Sequence, residues 1–217
     1  MSYDLSTVLS FAVIVSVVIG WIRFKKINPA FIPFVLVITC GFLHELISLI
    51  AISQKYSNAI VYNIYSLIES ILILILFRKW KIIKFNTLVF RSLVFGLTII
   101  WILEIVSMPN FETFCSYFTI AYSFIIVLLS INTINALINQ VKNSLVKNSN
   151  FLICVGFVIY FTYSIIVEAF WMYGLNENHI FQSKVYDILV IINLFVNLLY
   201  AVAVLWIPTK PKFILQS

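Results

Sequence analysis

The chain has 217 residues, 63% of them hydrophobic and only 10% charged, with a net charge of +6 and a mean hydropathy of +1.09. A water-soluble domain is closer to about half apolar and a quarter charged, so these residues cannot cover a globule that faces water. The composition specifies a polytopic membrane protein. Runs such as Ile71–Phe77, which do not alternate polar with apolar residues, exclude a membrane barrel.

A spanning helix needs about 20 mostly apolar residues. Seven stretches qualify, so the chain is expected to be all-α. In chain order the predicted helices 1 to 7 cover 5–22, 31–52, 59–77, 88–106, 115–137, 151–172 and 185–206. The connections are short, so residues 1–217 are expected to form one membrane domain with a tail at 207–217. Asp4 precedes helix 1, and Arg23, Lys25 and Lys26 follow it. A secretory signal has the opposite polarity, so helix 1 reads as a retained anchor.

The basic residues follow a topological pattern. Twelve lie after helices 1, 3, 5 and 7, whereas the alternate connections hold only Lys55 and Lys184. This is the positive-inside distribution. It predicts an N-terminus outside and a C-terminus in the cytoplasm, and it removes any reason to invoke nucleic acid as a partner. Trp21, Trp80, Trp101, Trp171 and Trp206 fall at or near helix ends, as expected of interfacial anchors. Cys40, Cys115 and Cys154 show no metal or redox spacing and read as unpaired thiols. A composition rich in Ile, Phe, Asn and Lys suggests an AT-rich bacterial genome, and hence the inner membrane.

Two segments repeat. Residues 34–50 align without gaps on 157–173, pairing Phe34 with Phe157, Val35 with Val158, Thr39 with Thr162 and Glu45 with Glu168. Residues 61–77 align on 185–201, pairing Val61-Tyr62-Asn63-Ile64 with Val185-Tyr186-Asp187-Ile188. Ser10-Phe11 and Ser123-Phe124 open similar runs in helices 1 and 5. The expected layout is 3+1+3: a first repeat over about 5–77, a linker helix over 88–106 and a second repeat over about 115–206. One linker helix gives both triplets the same orientation. In layout this resembles the sugar-efflux transporters of the SWEET class, whose parallel repeats are related by an axis along the membrane normal. No proline–glutamine pair follows helix 1 or helix 5, so no family is assigned. Seven helices also resemble microbial rhodopsins, but helix 7 has no central lysine, and no cofactor is expected.

Ionisable residues inside a bilayer cost about 2.5–3.5 kcal/mol each at mid-helix and are functional candidates for that reason. Glu69 lies at the middle of helix 3. His44 and Glu45 lie in the outer half of helix 2, Glu168 in the outer third of helix 6, and Asp187 near the start of helix 7. Helical spacing places Tyr62, Ser66 and Glu69 on one face, with Asn63 beside it. It does the same for Asn193, Asn197 and Tyr200, and for Tyr160, Ser164 and Glu168. Polar stripes avoid lipid, so helices 2, 3, 6 and 7 are expected to converge on a cavity that opens outward. Glu69, Glu45, Glu168, Asp187, Asn193, His44 and Asn63 are its candidate binding residues.

Such a cavity points to a small transporter or channel for a proton, a cation or a small polar solute, with homo-oligomers as a further option. A membrane sensor or effector that acts through a cytoplasmic partner is the alternative, since Arg78-Lys79-Trp80-Lys81 could dock acidic groups. A zinc hydrolase built from His44, His179, Glu45 and Glu168 is the third reading. Catalytic zinc wants three protein ligands, and nothing in the spacing demands such a site, so the chain is not expected to be an enzyme.

Overall fold

A computed structural model describes residues 9–83, 86–108, 113–140, 145–172 and 179–209, the side chains of 140, 179–183 and 186 excepted. The helices are α1 Val13–Arg23, α2 Ile32–Ser53, α3 Ala59–Trp80, α4 Thr87–Ser107, α5 Ser116–Gln140, α6 Ser149–Met172 and α7 His179–Trp206. Six are long and apolar enough to cross a membrane. The exception is α1, whose 11 residues span roughly 16 Å at 1.5 Å per residue. Helix 1 was expected from residue 5; a turn at Phe11 and Ala12 interrupts it, and residues 1–8 lie outside the described residues. At the other end of the chain, α7 begins at His179 rather than at 185. The chain is a helical multi-pass membrane protein by helix length and composition.

Asparagines set the helix starts. The side chains of Asn28, Asn86 and Asn148 accept hydrogen bonds from the backbone amides of Ala30, Leu88 and Asn150, two residues on in each case. Inside the helices, Thr39, Thr98, Thr119 and Thr133 each donate to the carbonyl four residues back. These hydroxyls are satisfied locally and leave the helices free to pack through apolar surface.

α1, α2 and α3 pack in succession, as do α5, α6 and α7. The two triplets meet where α1 touches α7 and where α3 touches α5, so six helices form a closed ring. α4 packs outside it against α3 and α5, and only Leu97 is fully buried among its residues. Phe90, Leu93, Val94, Trp101 and Ile105 pack against the core, while Phe95, Leu103 and Val106 are exposed on the outer face of α4.

The two ends of the bundle differ. One carries Arg23, Arg78, Lys79 and Lys147 and is here called the basic end. It is sealed. The Arg23 guanidinium donates to the carbonyls of Val204 and Ile207 at the last turn of α7. A positive group there complements the helix dipole. Asn28 N–H donates to Pro208 O at 2.9 Å, next to an isolated antiparallel bridge between Ile27 and Thr209.

Above this seal lies an aromatic plug. Phe157 is buried, with ring centroids 6.2 Å from Phe34, 6.2 Å from Phe77 and 5.9 Å from Tyr200. It thus joins α2, α3, α6 and α7. Two of the tryptophans near helix ends take part in the packing. Trp80 is buried against Phe31 and Phe77, and Trp101 Nε1–H donates to Asn63 O at 2.8 Å.

Candidate functional site

The end opposite the basic one is open. A vestibule of about 680 Å³ is lined by His44, Glu45 and Ser48 of α2, Asn58 and Tyr62 of α3, Tyr160 and Glu168 of α6, and Asn193 of α7, among others. Below it, a narrow chamber of about 80 Å³ shares His44, Glu45, Tyr62, Tyr160 and Asn193 with the vestibule and continues down to Glu69, Asn197 and Tyr200. Phe157 and Phe161 line the chamber as well, so the aromatic plug is its floor.

Glu69 is the deepest carboxylate and is buried. Tyr65, one turn earlier on α3, donates its hydroxyl to Glu69 Oε1 at 2.5 Å. Tyr122 of α5 donates to Oε2 at 3.1 Å. Each oxygen thus has a phenol partner, which offsets part of the cost of burying the group. Tyr65 also stacks on His44, centroids 4.5 Å apart, while Tyr62 meets the same imidazole edge-on at 5.8 Å. His44 Nε2 lies 3.2 Å from Ser48 Oγ. Ser10 is the hydrogen-bond partner of Glu45, and Ser116 Oγ donates to Glu168 Oε2 at 2.6 Å. The partners of all three carboxylates are hydroxyl groups, and among the described residues no lysine or arginine lines either space.

No protein-family model, no curated protein and no solved structure matches this chain. Its function has to be read from the site itself.

The structure brings Glu69, Glu45, His44 and Asn193 together in the chamber, with Glu168 in the vestibule above. Asn193 accepts from Asn197 Nδ2 at 3.0 Å. Asn63 and Asp187 line neither space. Asn63 is a buried staple: its Nδ2 donates to Thr113 O at 2.9 Å, and its Oδ1 accepts from Cys115 N at 2.9 Å. The connection between α4 and α5 is thereby tied to α3. Asp187 is half-buried near the start of α7. Ser66 and Ser70 donate to carbonyls of their own helix and do not reach Glu69.

Glu104, near the end of α4, accepts from the amides of Tyr117 and Phe118 at 3.0 and 2.7 Å. It caps the N-terminus of α5, where a carboxylate is favoured. Cys115, just outside the spanning part of α5, is buried, and its thiol is pushed up to about 12 by burial and then by the nearby Glu104 and Glu168. Among the described residues no group of three or more His, Cys, Asp or Glu side chains is placed to hold a metal ion. The fourth member of the zinc alternative, His179, has its side chain outside the described residues.

Sequence reasoning missed Tyr65, Tyr122, Ser10 and Ser116, the partners of the carboxylates. Tyr65 was within reach, because residues four apart share a helix face. Tyr122 and Ser116 lie on α5, outside the four helices that carry the stripes, and Ser10 precedes α1.

Proposed function

We propose that this chain is a small membrane transporter that takes a proton, a cation or a small polar solute from the open end of the bundle into a chamber built around Glu69. The observation that carries this reading is the position of Glu69. It lies midway along a spanning helix, in a chamber that shares lining residues with the open vestibule, with closed aromatic packing beneath. A permanently open channel would not be plugged in this way. A carboxylate with a purely structural role would not need a passage leading to it.

In this reading the vestibule faces the outside and the basic end faces the cytoplasm of a bacterial inner membrane, as the positive-inside distribution favours. The 3+1+3 duplication is part of the same proposal. Two matched pairs support it: the rings of Phe34 and Phe157 meet in the aromatic plug, and Glu45 and Glu168 both line the vestibule. Glu69 and its counterpart Asn193 both line the chamber. Movement would follow from rocking one triplet against the other around this site.

The test is flux in proteoliposomes, wild type against Glu69→Gln, over protons, metal cations and amines at two pH values. Flux that falls to background in a folded variant supports the proposal, and unchanged flux rejects it. Lys79 and Lys81 are exposed at the basic end, which favours a sensor or effector with an acidic cytoplasmic partner as the second reading. A folded wild type that moves none of the panel would turn the search there.

A further inference from the structure

The chamber and vestibule have walls of a particular chemistry. Glu69, Glu45 and Glu168 supply carboxyl oxygens, and no lysine or arginine is found among the described lining residues. Between them stand the faces and edges of aromatic rings, with Tyr62 and Tyr160 lining both spaces and Tyr65 lining the chamber. Tyr62 and Tyr65 are held by their packing on His44, and Tyr160 by an edge-on contact with Phe161 at 5.2 Å.

Aromatic faces attract cations through their quadrupole, but they offer no lone pairs to replace the hydration shell of a metal ion. Calcium takes six to eight oxygen ligands, and magnesium demands near-ideal octahedral geometry. No clustered set of metal ligands is present among the described residues. A weakly hydrated organic cation has the opposite needs: its spread charge sits against rings, with a carboxylate as counter-ion. The vestibule of about 680 Å³ has the size of a small-molecule pocket. The chamber of about 80 Å³ admits only a small head group.

From this geometry we infer that the ligand is a small organic cation, an alkylammonium whose charged head enters between Tyr62, Tyr65 and Tyr160 toward Glu69. The inference rests on the reading of the cavity as a ligand path and narrows it to one chemical class.

The experiment is thermal unfolding of the purified full-length protein in detergent. Tetramethylammonium chloride is compared with sodium chloride at equal ionic strength and with tert-butanol, a neutral molecule of similar shape. Tetramethylammonium is expected to raise the unfolding temperature in a saturable way that the other two do not reproduce. Its apparent affinity should fall at least tenfold in Glu69→Gln, and at least tenfold in Tyr160→Leu, which keeps every carboxylate. Glu45→Gln, at a half-buried position, serves if the deeper variants do not fold. An equal response to tert-butanol or to sodium chloride overturns the inference, as does an affinity unchanged in all the folded variants. Binding without flux would reject transport and keep the organic cation. Proton flux without tetramethylammonium binding would do the reverse.

Discussion

The two halves of the bundle handle the same problem in opposite ways. At the open half, carboxylates, amides and hydroxyls gather around a passage, and each carboxylate is met by a hydroxyl. At the basic half, Phe34, Phe77, Phe157 and Trp80 fill the space between the helices, and the charged groups are kept at the rim. Polar groups in a bilayer are tolerated only where they find partners or face a water-filled space. The contrast therefore marks which half is built for traffic and which for closure.

The largest test of this contrast is Phe157→Ala. Removing a buried phenylalanine that touches Phe34, Phe77, Phe161 and Tyr200 should cost about 3–5 kcal/mol in denaturant unfolding. It should also make vesicles leaky to small ions. A stable variant with tight vesicles would mean that the plug is not the barrier.

Gly156→Ala is the next. A Cβ at Gly156 would lie 2.3 Å from Tyr200 Cε1 and 3.1 Å from its Cζ, so the ring that closes the chamber floor must move. The expected cost is about 1–3 kcal/mol, read as a lower unfolding temperature together with altered flux. Normal flux and stability would show that the floor has slack.

At the open half, Tyr65→Phe removes the 2.5 Å partner of Glu69 and keeps the ring. Leaving a buried carboxyl group short of a hydrogen-bond partner costs about 1–3 kcal/mol. Flux should drop while Tyr122 still holds the other oxygen, and a full-rate variant would remove Tyr65 from the site. Asn63→Ala is expected to release the connection between α4 and α5 and cost about 1–3 kcal/mol. Cys115 should then become reactive toward a membrane-impermeant thiol reagent, and the side on which it reacts reports the orientation of the open end. The smallest effect is expected at Val106 on the outer face of α4: Val106→Ala should change stability by less than about 0.5 kcal/mol.

Much of this was legible in the chain. Apolar length gave the spanning helices, and the rarity of carboxylates singled out Glu69, Glu45 and Glu168. Helical spacing put Asn193, Asn197 and Tyr200 on the face that lines the chamber. What was not legible depends on partners far apart in sequence. Asn63 has the same helix and neighbours whether it binds a ligand or staples residues 113–115, and only the fold decides. Glu104 looks solvent-exposed until the start of α5 is laid against it. Trp80 and Trp101 sit where interfacial anchors belong, but one fills the plug and the other donates to α3. The short α1 was hidden because the apolar run continues through the turn at Phe11 and Ala12.

The clasp at Arg23 bears on how the protein is made. Its acceptors are the carbonyls of Val204 and Ile207, so α1 gains these partners only after α7 has been made. Until then α1 has α2 but not α7 beside it, and the ring stands open along one seam. A chain that stops short of Val204 would remain an unlatched ring in the membrane, a natural target for quality-control proteases.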